Sequence, residues 1–184
     1  MVYVVLAALI LFMVMLYNAL VRARQQVKEA WSNIDTQLKR RYDLIPNLVE
    51  TVKGFAKHEA ETLEAVIKAR NVAMENQDAS TEQRAKDESA LSGTLKSIFA
   101  LSESYPDLKS NQNYLNLQQE LTDTEDKVQA ARSFYNTAVL SLNSKIESFP
   151  SSIFANLFGF KKESFFELDE AEKKLVQEVP KVSF

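Results

Sequence analysis

The sequence predicts an all-α protein in which an N-terminal transmembrane helix continues into an antiparallel bundle of long helices of the four-helix type. Three observations favour this class. Three glycines and four prolines in 184 residues leave few chain breaks, apolar residues recur at steps of three and four, and the chain opens on an apolar run. With 46% hydrophobic and 26% charged residues, the chain has enough apolar side chains to bury a core.

The first predicted element is an apolar run from Met1 to Val21 that only Asn18 interrupts. About 20 helical residues cross a hydrocarbon core of roughly 30 Å, so we predict a transmembrane anchor that contacts the lipid bilayer through residues 1–21. A cleaved signal peptide is disfavoured, because no basic residue precedes the run and no small-x-small site follows it. Arg22 and Arg24 follow the run, which predicts a single-pass protein with its N-terminus outside and its bundle in the cytoplasm.

Apolar residues at helical spacing predict that the anchor continues unbroken into a long first helix; they are Leu20, Val27, Trp31, Ile34, Leu38 and Ile45. A turn is predicted at residues 42–46. There Asp43 would be an N-cap and Pro46 would lie in the first turn of a second helix, which ends near residues 75–78.

Two more helices complete the predicted bundle. Ser80 followed by Gln83 is a capping-box pattern that starts the third helix, and Pro106 lies where it stops. A stripe of five heptads from Tyr114 to Phe149 predicts a coiled-coil-like fourth helix of about 50 Å.

The predicted domain organisation is an anchor at 1–21, a bundle at 22–149 and an aromatic-rich segment with a charged tail at 150–184. Seven of the eleven phenylalanines fall in the last 36 positions. Two interpretations stay open: the rings close the end of the bundle, or they form an exposed contact with another copy or with the membrane. The candidate contact residues are Ile153, Phe154, Leu157, Phe158 and Phe160.

The inventory of reactive side chains argues against an enzyme. There is no cysteine, and His58 is the only histidine, so thiol catalysis is excluded and a catalytic triad would depend on this one residue. Glu59, Glu61 and Glu64 lie near His58, but a di-iron bundle needs a histidine from each of two helices. We therefore predict no catalytic, cofactor-binding or metal-binding residue, no cofactor and no small-molecule substrate.

The basic run Lys39 to Arg41 is too short to predict nucleic-acid binding in a chain of net charge -3. On a straight helix it would stand about 27 Å beyond Val21, which is several Debye lengths from lipid. The arginines could instead pair with acidic groups on a neighbouring helix, in this chain or in another copy.

The chain resembles the LemA family of bacterial membrane-anchored proteins in three stretches that occur in the expected order. They are AWSNIDTQLKRRYDLIPNLVETVKGFAKHE (30–59), YPDLKSNQNYLNLQQELTDTEDKVQAARSFYNTAV (105–139) and IESFPSSIFANLFGF (146–160). One departure is Leu142, which stands before Asn143 where the family usually repeats a Tyr-Asn pair. That change is a conservative one for packing.

The resemblance implies one membrane helix, a short outer end and a cytoplasmic antiparallel bundle at the bacterial inner membrane, without an established molecular activity. Genes of such proteins often neighbour membrane metalloproteases of the HtpX type, and magnetosome relatives are linked to membrane remodelling. Both associations are analogies.

On this arrangement the predicted turn becomes the distal tip of a helical hairpin, where a partner could dock or where polar groups only pair within the corner. The tip residues are Arg40, Arg41, Tyr42, Asp43 and Asn47. The leading hypothesis is a non-enzymatic, membrane-anchored scaffold that acts through homo-oligomerisation or the organisation of membrane proteins. The alternative is an adaptor or regulator of a membrane protease that presents this tip.

Overall fold

The computed structural model describes residues 1–167, and every regular element in that range is helical. The helices are α1 (Val2–Phe55), α2 (Ala60–Glu75), α3 (Thr81–Leu101), α4 (Pro106–Lys109), α5 (Gln112–Glu147) and α6 (Ser151–Leu157), with a 3₁₀ turn at Ser102–Ser104. The predicted all-α class and helical bundle are confirmed. Most of the predicted charged tail lies outside the described residues.

The N-terminal part of α1 is the one helix within residues 1–167 that is long and apolar enough to cross a membrane. Its most apolar window has a mean hydropathy of 2.6, and only 6% of that window is buried inside the protein. Apolar surface exposed on this scale is unfavourable in water. The helix therefore supports membrane anchoring, while the predicted orientation stays a prediction.

The helices pack into two compact units, and α1 and α5 contribute to both. The first unit consists of residues 1–37 and 127–165, and the second of residues 38–126 with Phe166 and Glu167. This division follows packing, and the three sequence segments predicted above stay a prediction.

In the first unit, α1 packs against the second half of α5, where the ring centroids of Trp31 and Tyr135 lie 5.1 Å apart. The chain after α6 runs back along α5. The Asn143 amide donates to the Glu163 carbonyl at 2.9 Å and accepts from the Glu163 N–H at 3.0 Å. The Tyr135 hydroxyl donates to the Ser164 carbonyl at 3.0 Å. The buried apolar residues include Leu20, Ala23, Val27, Ala30 and Ile34 of α1, and Val128, Val139, Leu142 and Ile146 of α5.

In the second unit, the end of α1 lies with α2, α3, α4 and the first half of α5 around an apolar core. Helices α2 and α3 pack directly on each other. Burial of such side chains supplies most of the stability of a helical bundle, because short helices are marginal alone. The core residues are Leu38, Ile45, Leu48, Val52, Leu63, Val66, Leu91, Leu95, Ile98, Leu108, Tyr114 and Leu121.

Helix α1 continues through the position where the sequence predicts a turn, so that prediction is wrong. Pro46 lies inside the helix, where it has no N–H to donate to the Tyr42 carbonyl. The Nε of Arg70, on α2, donates to that carbonyl at 2.8 Å instead. Buried apolar residues continue on both sides of the proline, and α1 ends only at Phe55, before a turn at residues 56–59.

Two predicted helix boundaries agree better with the structure. The Ser80 hydroxyl accepts from the backbone N–H of Gln83 at 3.3 Å and caps α3, as predicted. The predicted heptad helix is α5, and most of its stripe from Tyr114 to Leu142 is buried. Phe149 lies beyond the end of α5 and is 82% exposed, so its assignment to that stripe is wrong.

Helix α6 ends in a cap that depends on Gly159. This residue has a φ of +68°, which glycine adopts without the steric cost of a Cβ. The N–H of Phe160 donates to the Ala155 carbonyl at 2.9 Å, and the N–H of Gly159 donates to the Asn156 carbonyl at 3.3 Å. These two bonds form a Schellman motif, which reverses the chain and places the Phe160 ring against α1.

Candidate functional site

The five polar residues predicted to form a distal tip lie inside α1. Arg41 is 1% exposed and Tyr42 is also buried, whereas Arg40, Asp43 and Asn47 are exposed. No corner forms here and Asp43 does not begin a helix, so the prediction of a hairpin tip at these positions is wrong. A role of the three exposed residues in binding a partner stays a prediction.

Arg41 is the centre of a polar group in the second unit, which we call the Arg41 cluster (Arg41, Tyr42, Glu88, Ser92 and Glu125). Arg41, Tyr42 and Glu88 are buried, whereas Ser92 and Glu125 are partly exposed. Its Nη1 donates to Glu125 Oε2 at 2.8 Å and lies 3.7 Å from Glu88 Oε2. Its Nη2 donates to Ser92 Oγ at 2.8 Å and to the Glu88 carbonyl at 3.3 Å. The Tyr42 hydroxyl donates to Glu88 Oε1. The cluster therefore joins α1, α3 and α5 through charge-assisted hydrogen bonds.

The basic run pairs with acidic groups of a neighbouring helix within the same chain, which confirms one of the two expected arrangements. Besides the partly buried bond from Arg41 to Glu125, Arg40 Nη2 lies 3.8 Å from Glu120 Oε2 on α5. Arg40 and Glu120 are both about half exposed, so their ion pair adds at most about 1 kcal/mol. The pair of Arg41 and Glu125 is the stronger restraint, because its atoms lie 2.8 Å apart and Arg41 is buried.

Burial changes the protonation of the two groups that face each other in the cluster. It raises the pKa of the Glu88 carboxyl above its ordinary value of 4.5, and the Arg41 charge, the Tyr42 hydrogen bond and the Arg84 charge oppose that rise. Burial and then the Glu88 charge also raise the pKa of Tyr42, so its hydroxyl stays protonated as a donor. Glu88 is thus held between two cations and one neutral donor.

The Arg41 cluster has the character of a structural network, because the buried Arg41 guanidinium lies close to the carboxylates of both Glu88 and Glu125. Removing one partner from a buried ion pair typically costs about 3–5 kcal/mol. In the part of the chain that the structure describes, no group of three or more His, Cys, Asp and Glu residues could hold a metal ion. His58 is exposed in the turn between α1 and α2.

Sequence reasoning missed the acidic half of the cluster, although one signal could have found it. Glu88 lies three and seven residues before Leu91 and Leu95, on the apolar stripe of α3, and Arg84 lies one turn earlier on the same stripe. Charged residues at core positions of a helix are buried only when they are paired. The pattern therefore predicts buried partners, though not which ones.

The residues predicted to contact another copy or the membrane divide into buried and exposed ones. Phe160 is buried: its ring lies 6.1 Å from the Tyr17 ring and 4.9 Å from the Arg24 guanidinium, so it belongs to the packing of the first unit. The Phe158 ring lies 4.9 Å from Tyr17 and is half exposed. Phe154 is half-buried, whereas Ile153 and Leu157 are exposed. We call Ile153, Leu157 and Phe158 the α6 edge.

The end of α1 and α2 enclose a groove of about 710 Å³ in the second unit. Its lining combines apolar side chains with three lysines and three glutamates, the latter at positions 50, 64 and 75. The lining includes Val49, Leu63, Ile67 and Val72, with Lys53, Lys57 and Lys68. No sequence pattern indicated this groove, because the expected turn at Pro46 would have placed its two walls in a different arrangement.

Comparison with known proteins confirms the resemblance predicted from the sequence. The family model described as the LemA family matches residues 30–184. The chain is 27% identical to Protein LemA of Metamycoplasma hominis, over 85% of this chain and 71% of that protein. It is 24% identical to Magnetosome protein MamQ of Magnetospirillum gryphiswaldense, over 88% of this chain and 68% of that protein. Magnetosome protein MamQ 2 of Paramagnetospirillum magneticum is also 24% identical, over 87% of this chain and 68% of that protein.

Proposed function

Because the chain belongs to the LemA family, we propose that it is a membrane-anchored, non-enzymatic scaffold that associates with further copies of itself and organises other membrane proteins. The apolar start of α1 supplies the anchor. The Arg41 cluster holds helices of the second unit together rather than supplying chemistry, because Arg41 is buried and pairs with Glu88 and Glu125. Repeated copies held side by side could also shape the membrane in which they are anchored.

The observation that carries self-association is an uncharged exposed face on the second half of α5. Between residues 129 and 144 the exposed side chains are small, polar without charge, or apolar. Phe134 and Leu140 are 54% and 58% exposed, and Arg132, the one charged residue before Lys145, is half-buried. The exposed residues of this α5 face are Gln129, Ala130, Ser133, Phe134, Thr137, Leu140 and Ser144.

The first half of α5 provides an internal comparison. Its exposed positions include four charged residues: Glu120, Asp123, Asp126 and Lys127. Charge is depleted where helices pack on a partner and is usual where a helix faces water. Full burial of a Leu or Phe side chain contributes about 1.5–3 kcal/mol, so a second copy is a favourable cover for the α5 face.

Mass photometry of the full chain, extracted in a mild polymer, tests this proposal. We expect particles of several copies for the wild type and a shift towards single chains for the double variant Phe134→Glu, Leu140→Glu. Both side chains are already exposed, so circular dichroism should show unchanged helicity. Leu115→Glu, at an exposed position on the other half of α5, is the matched control and should keep the wild-type mass. A single-copy wild type, or a double variant of unchanged mass, would contradict the proposal.

A second candidate function, an adaptor of a membrane protease of the HtpX type, is favoured by the groove between α1 and α2. Its lining of apolar side chains together with charges of both signs suits an amphipathic segment of another protein. A photo-cross-linking residue at Lys53 should then capture a membrane protease in cells, whereas the same residue at Lys96, exposed on α3, should not. Equal recovery from both positions, or none from Lys53, would remove the groove from consideration.

A further inference from the structure

The α6 edge is exposed, yet it is anchored on the apolar part of α1. The Phe158 ring packs edge-on against the Tyr17 ring, with 4.9 Å between the ring centroids. The centroid of the Phe160 ring lies 6.1 Å from that of the same tyrosine. Both contacts lie within the first compact unit. The Gly159 cap fixes the reversal that allows the two rings to reach one residue of α1.

The end of the apolar run gives the level of this contact relative to a bilayer. The run ends at Val21, and Arg22 is the first charged residue after it. Tyr17 lies four residues before Val21, which is about 6 Å along the helix axis on the lipid side. With the hydrocarbon core ending at Val21, Phe158 lies at the level where this core meets the headgroups.

Protein packing and the apolar run overlap along α1. Residues 1–15 are all exposed, but Leu16 and Ala19 are half-buried and Leu20 is fully buried by the rest of the first unit. The turn from Leu16 to Leu20 is already partly covered by protein side chains. A bilayer that covers the run up to Val21 must therefore include this turn. At that level the lipid meets α6 as well as α1.

The charges around the α6 edge match an interface with phospholipid headgroups. Arg22 and Arg24 follow the run on α1, and the Arg24 guanidinium lies 4.9 Å from the Phe160 ring. Lys161 is exposed directly after that ring, whereas Lys162 is paired with Glu147. Aromatic and basic side chains at the end of an apolar helix are the usual anchors in the headgroup region.

We propose that the α6 edge is a membrane contact in which Ile153, Leu157 and Phe158 insert into the boundary between acyl chains and headgroups. The exposed side chains are apolar and are continuous with the spanning helix through Tyr17. Short apolar surfaces of this kind enter the boundary by about 5–10 Å. The inference rests on the membrane anchoring in the proposed function but is independent of self-association.

Site-directed spin labelling tests the inference, because the chain has no cysteine of its own. Variants Ile153→Cys and Leu157→Cys carry a nitroxide in the full chain, reconstituted in vesicles of phosphatidylcholine and phosphatidylglycerol. Collision with oxygen, which concentrates in lipid, is compared with collision with a water-soluble nickel chelate. We expect both labels to show a clearly higher oxygen-to-nickel ratio than a label at Gln119→Cys, an exposed position of α5.

Each other outcome overturns the inference. A nickel-accessible label at Leu157 would place the α6 edge in water. A label shielded from both reagents, with line broadening that disappears on dilution with unlabelled chain, would mean that a second copy covers it. A label at Ile10→Cys, in the apolar run, separates this inference from the proposed function. If that label is in lipid and the α6 labels are not, anchoring holds and only the inference fails.

Discussion

Glu88 is the residue whose protonation couples the stability of the second unit to pH. Its carboxyl is buried between Arg41 and Tyr42, and burial raises its pKa above 4.5 in the folded protein. Below pH 4.5 the carboxyl is protonated in both the folded and the unfolded chain. Above it, the folded chain retains a proton that the unfolded chain releases. The contribution of this proton to stability is therefore lost as the pH rises through the folded pKa.

The variant Glu88→Gln should remove this pH dependence. Urea unfolding of the full chain in detergent, followed by circular dichroism, should show wild-type stability falling by up to about 1.4 kcal/mol per pH unit between pH 4.5 and the raised pKa. The curve of the variant should be flatter in that window. Glu82→Gln, at an exposed position of the same helix, is the control and should follow the wild type. Parallel curves for wild type and Glu88→Gln would show that Glu88 carries no raised pKa.

Single residues in the sequence predicted the Ser80 cap and the acidic pairing of the arginines, but they gave a wrong cap at Asp43 and did not identify the partners of Arg41. The interaction of Ser80 with Gln83 spans three residues and is visible in the sequence. The partners of Arg41 lie 47 and 84 residues away, and no local pattern specifies them. Such partners depend on which helix faces meet, which only tertiary packing decides.

At the scale of the element, α1 shows how a distant side chain decides a helix boundary. Asp43 and Pro46 have the spacing of a helix start, and on local grounds the predicted turn is reasonable. The structure keeps the helix because Arg70, 28 residues away, donates to the Tyr42 carbonyl that Pro46 leaves without its helical partner. The helix α5 could be predicted without knowledge of distant contacts, since its apolar stripe is a long local pattern.

A double-mutant cycle measures the compensation between Arg70 and Pro46. Arg70→Met should destabilise the chain by about 1–3 kcal/mol, because the Tyr42 carbonyl then has no donor. Pro46→Ala restores a backbone N–H to that carbonyl, so Arg70→Met should cost less in the Pro46→Ala background. Thermal unfolding of the four chains gives the coupling free energy. Lys68→Met, exposed on α2, controls for loss of charge, and additive effects of the two substitutions would contradict the compensation.

At the scale of the whole molecule, the sequence predicted the anchor, the helical class and the family, because each depends on long patterns of apolar spacing or on long motifs. It did not predict the surfaces. The uncharged face around Phe134 and Leu140 becomes visible only when the opposite side of α5 is known to be buried. The sequence likewise does not show that Phe160 is buried while the α6 edge is exposed, because this difference depends on the chain reversal at Gly159.

The orientation of the chain in the membrane can be measured with single cysteines. If the positive-inside bias holds, a membrane-impermeant maleimide added to intact cells should not reach the second unit. Ser104→Cys, exposed in the second unit, should react only after the membrane that holds the anchor is opened. The wild type has no cysteine and gives the background. Labelling of Ser104→Cys on unopened cells would reverse the predicted topology.

The contact between Asn143 and Glu163 has a consequence for how the sequence can vary. The Asn143 amide donates to the carbonyl and accepts from the N–H of residue 163, so it binds only backbone atoms. Any residue except proline offers the same two groups at that position. Selection should therefore constrain position 143 strictly and position 163 weakly. Among natural homologues we expect asparagine to persist at the first site, while the second drifts freely without loosening the C-terminal segment.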